Sequence, residues 1–250
     1  MTALHPLRET DPTRRVILAL DLPDQDRALR LADQLRPELA WVKVGLQLFG
    51  AEGPDLVRRL VSMGLHVFVD LKLHDIPNTV GSAVESLSAI GAELATVHTS
   101  AGTVALRAGA EAARRSATSG PRGSRTALLG VTVLTSFDAA GLGEVLGRDA
   151  DPSVEVARLA RLGIDAGLDG LVASPHEVAA LRRTVGHEPL LVIPGIRPAG
   201  AESQDQSRVA TPARAIADGA DFLVIGRPIT RADVPRDALR AILDEVAGAQ

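Results

Sequence analysis

The sequence predicts an α/β protein folded as a single closed (β/α)8 barrel of the TIM type. Three observations predict it. Short β-branched apolar runs alternate with amphipathic stretches, and the alternation occurs eight times. Runs spaced in this way build parallel βα units rather than hairpins. The chain has 250 residues, a length that one α/β barrel commonly fills. A doubly wound sheet is the alternative, but no G-x-G-x-x-G follows the first run, and such a sheet usually opens with that turn.

Taken in order, the first strand is expected near 16–20 (VILAL), followed by an amphipathic helix over 24–36. The second is expected at 41–45 (WVKVG) with a helix over 54–63, and the third at 66–70 (HVFVD) with 78–91. Pro77 suits the first turn of that third helix, where its missing N–H costs nothing. The fourth unit pairs 94–98 (LATVH) with 103–115. A polar connector over 116–126 (SATSGPRGSRT) precedes the fifth strand at 127–132 (ALLGVT), whose helix is expected over 152–167. The last three units are 169–173 with 175–185, 190–193 with 211–218, and 221–225 with 235–248. Two irregular stretches, 135–151 and 194–211, follow the fifth and seventh strands. In a barrel these lie on the C-terminal face, where active sites are built. Residues 1–13 are expected to be a flexible polar tail, and 14–250 the catalytic barrel, with no domain boundary between.

Composition removes several function classes. Apolar residues are 46% and charged residues 23% of the chain, which suits a packed globule and not a disordered one. No run approaches the ~20 apolar residues of a membrane span, and MTALHPLRETDPTRR has no apolar core for secretion. A cytoplasmic protein is expected. With no cysteine there is neither a thiol nucleophile nor a cysteine metal site. A net charge of −4 argues against a nucleic-acid binder. Five aromatic residues and no tyrosine leave no platforms for base stacking. The basic residues are twenty-five arginines and two lysines, Lys43 and Lys72. Surface arginine follows from base composition, but arginine cannot release a proton near neutrality, whereas a buried lysine can be tuned to do so.

Both lysines fall at expected strand ends. Asp70 and Lys72 lie two apart, so in a strand they project to one face, and Asp75 falls in the turn beyond. Such a pair alone reads as an ordinary ion pair. Asp21 closes the first strand and Lys43 lies in the second, so Asp21, Lys43, Asp70 and Lys72 would ring one rim. Burying that many charges costs several kcal/mol unless they pair or work. Two Gly-plus-Arg turns, Gly195 to Arg197 and Gly226-Arg227, follow the seventh and eighth strands, where barrels often hold a phosphate. Gln206 lies in the loop between them and could cover a ligand. His98 ends the fourth strand and is as readily structural as functional. The remaining histidines show no metal-ligand spacing. Thr135 has no nearby histidine base and suits hydrogen bonding better than attack.

Residues 70–79, DLKLHDIPNT, resemble the signature of the orotidine 5′-phosphate decarboxylases. The segments LALD (18–21), VKVG (42–45), TVH (96–98), VTVLTS (131–136), PGIRP (194–198), DQSRVATP (205–212) and VIGRPIT (224–230) resemble the same family in the same order. The resemblance spans roughly 15–248 and implies a homodimeric barrel that converts orotidine 5′-monophosphate to uridine 5′-monophosphate without metal or cofactor. It implies that Lys72 donates the proton and that Asp70 faces the substrate carboxylate. Lys43 and Asp21 would bind ribose hydroxyls, and Thr135 the pyrimidine. Asp75, Ile76 and Thr79 would cross the dimer interface, while Arg197, Gln206, Gly226 and Arg227 hold the phosphate. A metal-dependent sugar-phosphate lyase or decarboxylase shares the D-x-K-x-x-D spacing, although the IPNT continuation disfavours it. A barrel that binds nucleotide without turnover is the non-enzyme alternative.

Overall fold

The computed structural model describes residues 7–8, 11, 14–116, 125–198 and 210–249. Eight parallel strands close into a barrel and neighbour one another in chain order. They are β1 (Val16–Ala19), β2 (Trp41–Gly45), β3 (His66–Leu73), β4 (Ala92–His98), β5 (Ala127–Val131), β6 (Gly170–Val172), β7 (Leu190–Ile193) and β8 (Phe222–Ile225). The helices are α1 (Gln25–Leu35), α2 (Leu46–Glu52), α3 (Pro54–Ser62), α4 (Pro77–Ala89), α5 (Thr103–Arg115) and α6 (Ala139–Leu146). They continue with α7 (Pro152–Asp165), α8 (Val178–Val185), α9 (Pro212–Ala217), α10 (Arg227–Thr230) and α11 (Pro235–Ala247).

Local chemistry fixes the helix starts. Asp24, Asp138, Asp151 and Thr211 each accept a backbone N–H of the helix they precede, which satisfies donors that the first turn otherwise leaves open. Proline occupies the first turn of α3, α4, α7, α9 and α11.

Strand parity divides the core in two. Ile17, Trp41, Phe68, Leu94, Leu129, Leu190 and Phe222 fill the lumen, and the alternate strand residues pack outward against the helices. Two residues further along a strand a side chain returns to the same face. The parity of Trp41 and Phe68 therefore carries Lys43 and Asp70 to the upper lumen, and that of Leu94 carries Thr96 there. Trp41 stacks on His66 with ring centroids 4.6 Å apart and meets Phe222 edge-on at 5.3 Å, so the lower lumen is plugged.

The N-terminal end is closed by charge. Asp221, buried, accepts the Arg182 guanidinium at 2.6 Å and the Leu191 N–H at 2.7 Å, and pairs with Arg8 at 2.7 Å. Most of the stretch expected to be a loose tail lies outside the described residues. Arg8 and Leu7, which are described, are instead docked, Leu7 against the lumen cluster. A buried carboxylate with open acceptor positions gives Arg8 a reason to stay.

The structure departs from expectation at four other places. The stretch 135–151 is not irregular throughout, because α6 lies within it; two glycines and a single buried residue, Leu142, had masked its pattern. The short helices α2 and α10 were not expected either. The segment 175–185 begins as a 3-10 turn, Pro175–Glu177, closed by a capping box from Ser174, and only then becomes α8. β3 runs to Leu73, not 70.

Candidate active site

The strands' C-terminal ends surround a cavity of about 760 Å³. Asp21, Lys43, Asp70, Lys72 and Thr135 line it from β1, β2, β3 and the segment after β5. Arg197, Gly226 and Arg227 line it from the segments after β7 and β8. Four charges form one alternating chain. Lys43 Nζ lies 3.0 Å from Asp21 Oδ1 and 3.6 Å from Asp70 Oδ2, and Lys72 Nζ lies 2.9 Å from Asp70 Oδ1. Side-chain exposure is 10% for Lys43 and 13% for Asp70 but 58% for Asp21, so the dry part of the ring is its centre. Burial pushes the Asp70 carboxyl up, but Lys43 and Lys72, with hydrogen bonds from Lys72 and Thr96, outweigh it and hold the carboxyl below its ordinary range.

Small residues make room for these groups. A β carbon on Gly45 would lie 2.8 Å from Lys43 Nζ and 3.1 Å from Asp21 Oδ1. The glycine ending VKVG thus clears the space in which that pair forms. Lys72 adopts φ +52°, the one non-glycine residue with positive φ among the described residues. The β3–β4 register shifts between Val69 and Leu73. Asp70 and Lys72 do converge as their two-residue spacing predicts, but through a bulged strand end and not a plain pleat.

The other expected site residues lie elsewhere. Asp75, Ile76 and Thr79 are exposed and do not line the cavity; the Asp75 carboxylate accepts only its neighbour's N–H, Ile76, at 2.7 Å among the bonds of the described residues. Gln206 lies outside the described residues. His98 is half-buried, with its ring 5.7 Å from that of His74. Burial, then His74 and Lys72, lowers its pKa, against Asp70. Among the described residues no group of three or more His, Asp or Glu side chains is placed to hold a metal ion.

A family model described as "Orotidine 5'-phosphate decarboxylase / HUMPS family" matches residues 14–242. The chain belongs to that family. A relative from Anaeromyxobacter sp. (strain K), named orotidine 5′-phosphate decarboxylase, is 50% identical over 92% of this chain and 97% of its own. One of the same name from Nitrosococcus oceani is 47% identical over 93% and 97%. The crystal structure of orotidine 5′-phosphate decarboxylase from Lactobacillus acidophilus superposes with a TM-score of 0.83 at 35% identity, covering 93% of this chain and 99% of that one.

Within this member of the decarboxylase family, three further polar residues at the site were not expected there. Gln47 and Arg231 line the site from the segments after β2 and after β8. Thr96 lies beneath it, fully buried and hydrogen-bonded to both Asp70 and Lys72. Strand parity would have found Thr96, since it stands two residues past Leu94 on the lumen face. Gln47 stands on the short helix α2 and Arg231 caps the short helix α10, and the periodicity revealed neither helix.

Proposed function

We propose that this protein decarboxylates orotidine 5′-monophosphate to uridine 5′-monophosphate and CO2, a step of pyrimidine biosynthesis, and that Lys72 supplies the proton. The observation that carries this reading is the Asp21–Lys43–Asp70–Lys72 chain at the mouth of a family-matched barrel. Breaking the C6–carboxylate bond leaves an electron pair in the plane of the pyrimidine ring, outside its π system. The ring cannot delocalise that pair, so stabilisation falls to fixed charge. An ammonium ~4 Å from the developing charge contributes about 4 kcal/mol at an effective dielectric near 20. That is roughly three decades of rate. The C6 carbanion then takes a proton from the Lys72 ammonium, leaving a neutral amine that solvent reprotonates.

Asp70 sits where the substrate carboxylate would come against it. Its carboxyl is held ionised, so the two negative charges repel in the ground state and separate as CO2 leaves. Lys43 and Asp21 suit the ribose hydroxyls as donor and acceptor, and Thr135 suits the pyrimidine edge. Arg197, Arg227 and the glycine backbone at 226, with Gln206, form the phosphate end. A β carbon on Gly226 would be 3.3 Å from the Ala19 β carbon, so a larger residue there would press on β1. Phosphate binding far from C6 supplies energy that can be spent on the reacting end.

The same proposal includes a homodimer in which Asp75, Ile76 and Thr79 reach the partner's site. In its support, Leu46, Ile76 and Val104 follow β2, β3 and β4 on one side of the mouth with exposures of 63%, 66% and 70%. Large apolar side chains grouped at such levels mark an interaction surface. A cytoplasmic location and the absence of any metal or cofactor requirement belong to the proposal as well. No helix among the described residues is long and apolar enough to cross a membrane.

The test is the ultraviolet absorbance of orotidine 5′-monophosphate with the purified protein, with and without EDTA. Loss of the orotate band unaffected by chelator is expected. Turnover abolished by EDTA would transfer the chain to the metal-dependent lyase branch. Binding of uridylate by folded protein without turnover would leave a binding barrel.

A further inference from the structure

The bulge at the end of β3 leaves a backbone donor without its ladder partner, and one side chain takes that role. Lys72 N–H donates to Thr96 Oγ1 at 2.9 Å, and the Thr96 hydroxyl donates to Asp70 Oδ1 at 3.0 Å. Asp70 Oδ1 is the same oxygen that receives Lys72 Nζ at 2.9 Å. Thr96 therefore closes a ring that runs from the Lys72 backbone through its own hydroxyl to Asp70 and back to the Lys72 ammonium. The hydroxyl is fully buried, and both its donor and its acceptor roles are used in this ring.

Two consequences meet at this residue. A non-glycine residue at positive φ is strained and persists only where its surroundings over-determine it. The Thr96 bond to the Lys72 N–H is one such constraint, applied to the peptide that aims the lysine. The other bond fixes the rotation of the Asp70 carboxylate, so that Oδ1 faces Lys72 and Oδ2 remains toward Lys43 at 3.6 Å.

We propose that Thr96 is the positioning residue of the reaction. It holds Lys72 in its left-handed conformation and sets the rotation of Asp70, so the ammonium and the carboxylate flank C6 together. This assignment rests on the decarboxylase reading above. Thr96 does not itself touch the reacting atoms. Valine at this position keeps the shape and removes the hydroxyl, leaving a buried N–H unpaired. Lys72 can then relax toward ordinary backbone geometry and swing its ammonium away.

The test compares Thr96→Val, Thr96→Ala and Thr96→Ser with the wild type in steady-state decarboxylation over a range of pH. Thr96→Val should lower kcat by at least about tenfold with KM within about threefold, because the phosphate end, on the segments after β7 and β8, stands apart from it. Thr96→Ser, which keeps the hydroxyl, should recover most of that loss. The acid limb of the kcat/KM profile should move to higher pH in the valine variant, since Asp70 loses one of the hydrogen bonds that favour its ionised form. The charged and titratable groups around Asp70 are Lys43 on β2, Lys72 on β3 and His98 at the end of β4, and none of these is altered.

Thr126→Val is the structural control. Thr126 is also fully buried and donates to Ala92 O at 2.6 Å, but at the opposite end of the barrel. It should lose stability and keep kcat and the pH profile. If Thr96→Val behaves as this control does, or if serine falls as far as valine, the assignment is overturned. Should valine prevent folding, the comparison of alanine with serine carries the same test. Wild-type protein that leaves the substrate unchanged overturns the decarboxylase reading and this one with it; active wild type with an indifferent Thr96→Val overturns this one alone.

Discussion

Lys72 combines two things a surface lysine does not need, a left-handed backbone and a carboxylate 2.9 Å from its ammonium. Position and acidity are therefore separable by substitution. Lys72→Arg keeps the charge, but guanidinium does not release a proton near neutrality and its planar fork is larger. Turnover should fall more than about a thousandfold while the far-ultraviolet circular dichroism is unchanged. Activity within about tenfold of wild type would remove Lys72 as proton donor. Asp70 gives a second residue-level expectation, in stability. Its carboxyl is held below the ordinary aspartate value of 3.8, so the fold favours its ionised form. The resulting stabilisation is fully present above that ordinary value and is lost as pH falls through the lower folded-state value. Asp70→Asn leaves Lys43 and Lys72 facing each other without the carboxylate. It should be clearly less stable than wild type near neutrality, and the gap should narrow in acid. Urea unfolding midpoints taken from about pH 6 down to about pH 3 check this, and a gap constant over the span contradicts it.

At the scale of elements, the β-branched runs did most of the predictive work. Seven of the eight strand spans fall within about two residues of their expected ends because β-branched runs bounded by turn residues leave little freedom. β3 differs because a charged strand end, DLKL, does not look buried, and here the bulge and Thr96 extend the pairing. The helix α6 was illegible for the opposite reason, since AAGLGEVL lacks a full apolar stripe and carries two glycines, which disfavour a helix. Its caps, Asp138 and a left-handed Gly147, were the available signal. The charge ring was legible as a set because two lysines stood out against twenty-five arginines. Its hydroxyl partner was not singled out, although parity from Leu94 places Thr96 on the same lumen face. Packing between elements yields a prediction of its own at β6. A β carbon on Gly170 would overlap the Leu190 carbonyl oxygen and approach the Leu190 β carbon to 2.7 Å. Backbone oxygen in a parallel ladder cannot swing aside as a side chain can. Gly170→Ala should cost about 1–3 kcal/mol in denaturant unfolding. An unchanged midpoint and slope would show that β6 and β7 can separate more easily than a closed barrel allows.

The whole molecule is a barrel with one finished end and one unfinished. At the N-terminal end Asp221 pairs with both Arg8 and Arg182 beneath the Trp41–Phe222 plug. At the other end four charges meet in a cavity, yet three residues of the DLKLHDIPNT segment, Asp75, Ile76 and Thr79, point into solvent beside it. A chain that acted alone would gain nothing from an exposed isoleucine and an unpaired carboxylate at the rim of its site. The proposed two-fold dimer would give both a destination, since an isologous contact through this rim would bring each copy of the segment to the other's mouth. The consequence can be measured without knowing the interface in detail. On the proposed dimer, Lys72→Ala would remove the proton donor from the site whose barrel carries it, and Asp75→Ala would remove a group from the partner's site. Each variant alone should be inactive. When the two are mixed and allowed to exchange, about half of the dimers are mixed, and each of these has one site with both groups intact. Activity should therefore return toward about a quarter of the wild-type value. It should return at the rate of subunit exchange, as followed by a tag on one variant. Exchange demonstrated by the tag with no recovered turnover would assign Asp75 to its own barrel, and the exposed rim would then need a partner other than a second copy of this chain.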